Sequence, residues 1–264
     1  MVELKGIHKT FHPGTVNEKH ALQGIDLTLA DGDFVTIIGS NGAGKSTMLN
    51  AVAGVFPVDR GSILMNGRDI TAMPEFQRAG FLGRVFQDPM TGTAADMQLE
   101  ENLALAARRG ERRGLRWGVT RKEREEYRTQ LAALGLGLEE RLTSKVGLLS
   151  GGQRQAVTLL MATLQRPALL LLDEHTAALD PQTAQKVLQL TDRVISEQKL
   201  SALMVTHNMH DAIVHGNRLI MMNAGRIIFD CAGDEKKHLT VEDLLYKFSV
   251  ASGNSTLSDR SLLS

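Results

Sequence analysis

Phe34-Val35-Thr36-Ile37-Ile38-Gly39-Ser40-Asn41-Gly42-Ala43-Gly44-Lys45-Ser46-Thr47 is the stretch on which the fold turns. Residues 34–38 are an apolar, β-branched run, the pattern of a buried strand. The run stops at a glycine loop that fits G-x-x-x-x-G-K-[ST], and residues 45–54 read as a helix, the context that a phosphate loop requires. Gly39, Gly42 and Gly44 let the backbone turn its N–H groups inward without Cβ clashes. With Ser40, Asn41, Ala43 and the helix start they form an anion-binding nest. Lys45 adds a positive charge for the β- and γ-phosphates. The Ser46 hydroxyl suits Mg²⁺, which takes oxygen ligands, and Thr47 caps the helix or touches the α-phosphate.

Two further segments add chemistry. Leu169-Leu170-Leu171-Leu172-Asp173-Glu174 is a buried strand ending in two carboxylates, and active groups belong at strand carboxyl ends in open α/β sheets. Asp173 suits Mg²⁺, directly or through water. Glu174 suits polarisation of a water that attacks a γ-phosphoryl group in line. A capping pair at a turn is the alternative reading of the two carboxylates. Leu149-Ser150-Gly151-Gly152-Gln153 precedes an apolar helix. It offers a hydroxyl and a helix N-terminus, a second anion site or an ordinary N-cap.

Outward from these motifs the chain alternates strand and helix. Residues 2–29 alternate loosely and read as antiparallel strands, with a loop from His12-Pro13-Gly14 to His20. Residues 97–107, 121–134, 152–164 and 181–197 have helical patterns; strand signals fall at 168–172, 202–206, 218–222 and 226–229. The expected fold is α/β: a P-loop NTPase (RecA-like) core with an N-terminal antiparallel β subdomain and an inserted α-helical subdomain. The expected organisation is one domain over 1–250, with core 1–87 and 166–230, helical insert 88–165 and a C-terminal helix at 240–250. A flexible, serine-rich tail is expected at 251–264.

Composition narrows the function. Lys+Arg and Asp+Glu each number 30 in 264 residues, a balance that argues against nucleic acid as a partner. The single Cys231 excludes an internal disulfide framework and suits a reducing compartment. No apolar signal segment opens the chain, and no apolar run approaches the about 20 residues needed to span a bilayer. After Asp230 only about thirty residues follow, too few for an added domain of ordinary size.

In this order, the phosphate loop, the Leu149–Gln153 string and the acidic strand end resemble the ATP-binding cassette (ABC) family of ATPases. The resemblance covers residues 2–230. It implies ATP and Mg²⁺ as ligands, with Ser46, Gln87 and Asp173 at the metal and Glu174, His207 and Gln87 in catalysis. Gln87 in Val85-Phe86-Gln87-Asp88-Pro89 matches the family glutamine at the junction of core and insert. His207 in Met204-Val205-Thr206-His207 matches its switch histidine. Phe11 is the candidate to stack on adenine. Ser150, Gly151, Gly152 and Gln153, with Asp180 in Ala177-Ala178-Leu179-Asp180, are implied to contact nucleotide held by a partner subunit. A C2 homodimer, or a dimer with a related subunit, would then bury two ATP molecules.

The same resemblance implies permease subunits in a membrane, a cytoplasmic-face location and a solute-binding protein in the same system. Glu-His-Thr-Ala-Ala-Leu-Asp at 174–180 is similar to a subgroup of bacterial importer ATPases whose permeases resemble those for branched-chain amino acids. Uptake of a small solute, such as an amino acid, is expected. A soluble cluster-assembly ATPase and an export ATPase are the alternatives. The family commonly has proline where this chain has His175, read either as tolerance at a turn or as a contact near the nucleotide. Arg108, Arg109, Arg112, Arg113 and Arg116, near Trp117, read as a solvated face or as attraction to anionic lipid. Residues 88–103, with Phe76, Phe81 and Phe86 as apolar anchors or core residues, are the expected groove for the membrane partner.

Overall fold

The computed structural model describes residues 1–111 and 118–252. The chain forms a first compact unit from Met1–Arg78 and the residues from Ser201 onward. A second unit, Ala79–Leu200, is inserted into it.

The first unit opens with β1 (Val2–Phe11) antiparallel to β2 (Lys19–Leu29). The alternation is loose for a physical reason. Val2 and Leu4 are buried, yet so is Ile7, and the pairing shifts register between Leu4 and Ile7. The bulge moves the buried face from even to odd positions. There follow β3 (Phe34–Gly39), α1 (Lys45–Ala53), β4 (Arg60–Met65), β5 (Arg68–Asp69) and the single turn α2 (Glu75–Arg78). Strand β4 pairs with β1 on one side and β5 on the other, giving a four-stranded antiparallel sheet in the order β2-β1-β4-β5.

Arg78 ties this unit to the phosphate-loop helix. Its side chain is among the largest fully buried ones, at 2% exposure. Nη1 donates to the carbonyls of Ala51 and Val52, at 2.9 and 2.8 Å, in the last turn of α1. Nε donates to Met73 O at 2.8 Å and Nη2 to Thr71 O at 3.0 Å. The last carbonyls of a helix have no partner within it and carry the negative end of its dipole. A guanidinium with a fixed fork of donors satisfies them. Burial pushes the Arg78 pKa down, but a guanidinium stays charged in proteins.

The second unit runs through β6 (Leu82–Val85), α3 (Leu99–Ala107), α4 (Arg121–Ala132), a 3₁₀ turn at Val146–Leu148, α5 (Gly151–Thr163), β7 (Leu169–Asp173) and α6 (Pro181–Gln198). Strands β6 and β7 are parallel, with Val85 opposite Leu172. The helical core gathers Leu99, Leu103, Tyr127, Leu131, Val146 and Val157. Arg124 grips the buried carboxylate of Glu100 with two bonds of 2.5 and 2.7 Å, tying α4 to α3. Of the arginine cluster, Arg108 pairs with Glu123 at 2.7 Å. Arg109 is half-buried, with its pKa lowered by burial, and donates to Ala162 O. Neither serves as a bare solvated charge; Arg112, Arg113, Arg116 and Trp117 lie outside the described residues.

On its return the first unit adds β8 (Ala202–Val205), α7 (Met209–Val214), β9 (Arg218–Asn223), β10 (Arg226–Ala232), α8 (Gly233–Lys237) and α9 (Val241–Ser252). Strand β3 lies between β8 and β9, parallel to both, and β10 closes antiparallel on β9. Burial on both sides explains why 34–38 are all buried and read as a continuous apolar run. Leu244 and Phe248 of α9 pack on Ile38, Leu219 and Met221. The helix continues through residues 251–252, and 253–264 lie outside the described residues. No helix among the described residues is long and apolar enough to cross a membrane.

Arg78→Met should lower unfolding stability by about 3 kcal/mol, because it strands buried carbonyls at the end of α1. Denaturant unfolding of the variant checks this; a change within about 0.5 kcal/mol would be the behaviour of an ordinary surface position.

Candidate functional site

In the first unit the phosphate loop is clamped from one side. Gly39 has φ +151°, and a Cβ there would lie 2.2 Å from the carbonyl oxygen of Met222, inside any permitted contact. The hairpin between β9 and β10 turns through Ala224 and Gly225, both at positive φ (45° and 74°), as a two-residue type I′ turn does. Gly225 N–H donates to Ala43 O at 3.0 Å, and its own carbonyl accepts from Gln23 N–H of β2 at 2.9 Å. The loop therefore rests on the hairpin, and the hairpin on β2. Within the loop Ala43 N–H donates to Ser40 O at 3.1 Å. Asn41 and Gly42 are exposed, and Ser46 and Thr47 half-buried. Lys45 is buried and donates to the carbonyls of Gly39 at 2.7 Å and Ser40 at 3.1 Å.

Helix α1 begins at Gly44 with no side-chain cap and no acidic residue in its first turn. No acidic side chain of the first turn offsets its positive end. The Ser46 hydroxyl and the Asp173 carboxylate are hard oxygen donors, the chemistry that Mg²⁺ takes. Ile37 pairs with Val205 at the carboxyl end of β8, and His207 follows two residues past that end. His207 is exposed there, just before Asn208, which caps α7. Phe11 is half-buried, and its ring meets Phe56 edge-on at 5.2 Å, with Lys9 Nζ 5.6 Å from its centre. Lys19 was not singled out in the sequence. Its Nζ stands 3.7 Å from where a Cβ on Gly42 would lie, a second ammonium over the loop. A lysine in a polar loop carries no signal of this, because only the β1–β2 pairing brings it there.

In the second unit Val85 pairs with Leu172; Gln87 follows two residues past the end of β6 and Glu174 one residue past the end of β7. Gln87 is exposed; Asp173 and Glu174 are half-buried. Glu174 has φ +47°, a left-handed conformation that costs an L residue roughly 1–2 kcal/mol. Ala177 N–H closes the turn by donating to Glu174 O at 3.0 Å. His175 turns inward and is buried, with Nε2 3.1 Å from Thr191 Oγ1 of α6.

The serine–glycine turn starts α5 with a reciprocal capping box. Gln153 N–H donates to Ser150 Oγ at 3.3 Å, and Ser150 N–H donates to Gln153 Oε1 at 3.2 Å. Gly152 is required by packing: a Cβ there would lie 2.1 Å from Thr183 Cγ2 of α6, while Gly151 stands against Leu179. Asp180 caps α6, accepting from Thr183 N–H at 3.0 Å, and Pro181 follows in the first turn. Ser150, Gly151, Gly152 and Asp180 thus meet around the starts of α5 and α6.

Comparison with known proteins shows the family and the fold. Residues 22–177 match the family described as ABC transporter. The chain is 42% identical over 252 residues to the tyrosine transport ATP-binding protein of Clostridioides difficile, covering 95% of this chain and all of that protein. It is 34% identical over 231 residues to the methionine import ATP-binding protein MetN 2 of Enterococcus faecalis, covering 86% of this chain and 64% of that longer protein. Among solved structures, the ATP-binding cassette MJ0796, a dimer bound to ADP and Pi, aligns with TM-score 0.75 at 28% identity, covering 88% of this chain and 98% of that one. The ADP form of the cassette MJ1267 aligns with TM-score 0.76 at 25% identity, covering 96% and 97%. The fold is a RecA-like P-loop core with an N-terminal antiparallel sheet and an inserted helical subdomain.

The Asp180 cap has a pH signature. Hydrogen bonding to Thr183, side chain first and backbone second, holds its carboxyl below the ordinary value. Its contribution to stability is therefore complete above the unfolded carboxyl pKa and is lost as pH falls through the lower folded value. Asp180→Asn keeps an acceptor at the cap but cannot titrate. Wild-type stability measured against that variant should decline as pH falls below the ordinary carboxylate range; a difference independent of pH would remove the charge from the cap.

Proposed function

The chain belongs to the ABC transporter family and is an ATP-binding, ATP-hydrolysing subunit of such a transporter; we propose that it powers uptake of a small solute, an amino acid such as tyrosine, through a separate permease. The observation that carries the cargo class is the full-length identity with a tyrosine transport ATP-binding protein. Methionine, thiamine and sulfonate import proteins among the other relatives support uptake. The proposed place of work is the cytoplasmic face of a membrane, with permease subunits and a solute-binding protein as partners. The proposed organisation is one ATPase domain over 1–250, with the tail outside it, and the proposed working unit is a homodimer or a dimer with a related subunit.

The loop 39–47 wraps the phosphates with backbone N–H groups, and Lys45, with Lys19 above the loop, balances their charge. Phe11 stacks on adenine after its ring leaves Phe56. Ser46, Gln87 and Asp173 would hold Mg²⁺, which would supply positive charge to the phosphates. Glu174 orients and polarises water for attack in line with the leaving ADP, and His207 contacts the γ-phosphate. Because the reaction needs little covalent help from protein, positioning and charge carry it. Ser150, Gly151, Gly152, Gln153 and Asp180 read the nucleotide of the partner subunit in a closed dimer. ATP favours that closed dimer, hydrolysis releases it, and the permease responds to the difference.

Glu174→Gln should lower the ATPase rate at least about 100-fold while leaving ATP binding intact, and Mg²⁺–ATP should then trap a dimer on size-exclusion chromatography. Normal turnover in that variant would remove Glu174 from its role.

Tagged Glu174→Gln protein captured from native membranes in mild detergent should bring down a multi-span permease, identified by mass spectrometry. Soluble partners alone would replace transport by a cluster-assembly type of ATPase.

A further inference from the structure

We infer that His175 is a positioning residue for hydrolysis: it pins the turn after β7 to α6 and so holds Glu174 in its left-handed conformation. The inference rests on the reading of Glu174 as the group that polarises water.

Three observations carry it. First, Glu174 sits at φ +47°, a conformation that a non-glycine residue keeps only where its surroundings over-determine it. One restraint is the bond from Ala177 N–H to Glu174 O, which closes the turn. Second, the next side chain adds a restraint of its own, to α6. His175 is 2% exposed and Thr191 is fully buried, and Nε2 lies 3.1 Å from Thr191 Oγ1. The Thr191 hydroxyl has one hydrogen, and it goes to Val187 O at 2.8 Å. The threonine oxygen therefore accepts, and His175 donates through Nε2–H. Third, the anchor is rigid. Thr191 lies on the buried stripe of an 18-residue helix, with Val187, Leu188 and Ile195, and that helix is fixed at its start by the Asp180 cap.

The geometry couples backbone to side chain. Rotation of the 174–175 peptide that relaxes Glu174 moves the imidazole relative to Thr191 and weakens a buried hydrogen bond. The turn is thus held by a hydrogen bond in the interior, out of reach of water. The phosphate loop belongs to other segments of the chain, so loosening this turn should spare ATP affinity and slow the chemical step. That split separates positioning from general packing.

The test is steady-state ATPase kinetics on Thr191→Val, Thr191→Ser and His175→Phe, with Glu174→Gln alongside. Thr191→Val should lower kcat about tenfold with the ATP KM unchanged within about twofold, and Thr191→Ser should restore kcat to within about twofold of wild type. His175→Phe keeps the ring volume without the donor and should match Thr191→Val; it carries the test if the valine variant does not fold. The double variant should be no slower than either single one. Wild-type kcat in both single variants, or parallel losses in kcat and KM that serine does not rescue, would overturn the inference. Wild-type turnover by Glu174→Gln would overturn the reading of Glu174, and this inference with it. An inactive Glu174→Gln beside fully active Thr191→Val and His175→Phe would overturn the inference alone.

Discussion

The phosphate loop depends on a close approach that only one residue type allows. Met222 O occupies the space that a side chain on Gly39 would need, and the hairpin through Ala224 and Gly225 hydrogen-bonds Ala43 on one side and Gln23 on the other. The loop is therefore shaped by residues about 180 positions later in the chain. Strand β9, parallel to β3, delivers the hairpin to the place where β3 ends. Without that support the loop would be a flexible glycine run. With it, the loop is preorganised for an anion, and less entropy is lost on binding.

Several groups assigned to nucleotide recognition also hold the fold together. Ser150 and Gln153 complete a capping box, Asp180 caps α6, and Gly152 sits where α5 and α6 come closest. The N-cap reading of Ser150 and its signature reading are compatible: a serine oxygen has a second lone pair beyond the one used by Gln153 N–H. Substitutions at these positions mix loss of recognition with loss of helix stability, and only measurements that report the two separately can apportion them.

Much of the architecture was legible because its signals are contiguous. The strand, glycine loop and helix at 34–54 form one local unit, and the leucine run before Asp173 needs no partner to be read as a buried strand. Helices α3 to α6 start within two residues of their expected positions. Strands β4 and β6 were not legible. Arg60-Gly61-Ser62 opens β4 with polar and small residues, and β6 contains Gly83; both become strands through pairing with β1 and β7. At the site, motif residues could be named, but their second tasks could not. The inward turn of His175, the Phe11–Phe56 contact and the reach of Lys19 to Gly42 all depend on contacts distant in sequence. Arg78 left no trace either, since a lone arginine reads as surface.

Arg78 also makes two positions genetically dependent. Gly54 ends α1 in the left-handed region, and a methyl group there would come within 2.8 Å of Arg78 Nε. The guanidinium cannot step aside, because four carbonyls already hold it. A larger residue at 54 is therefore tolerated only where the side chain at 78 shortens, and a shorter residue at 78 abandons the end of the phosphate-binding helix. The two sites should drift through evolution as a locked pair, and a suppressor of a damaging change at one should be sought among changes at the other.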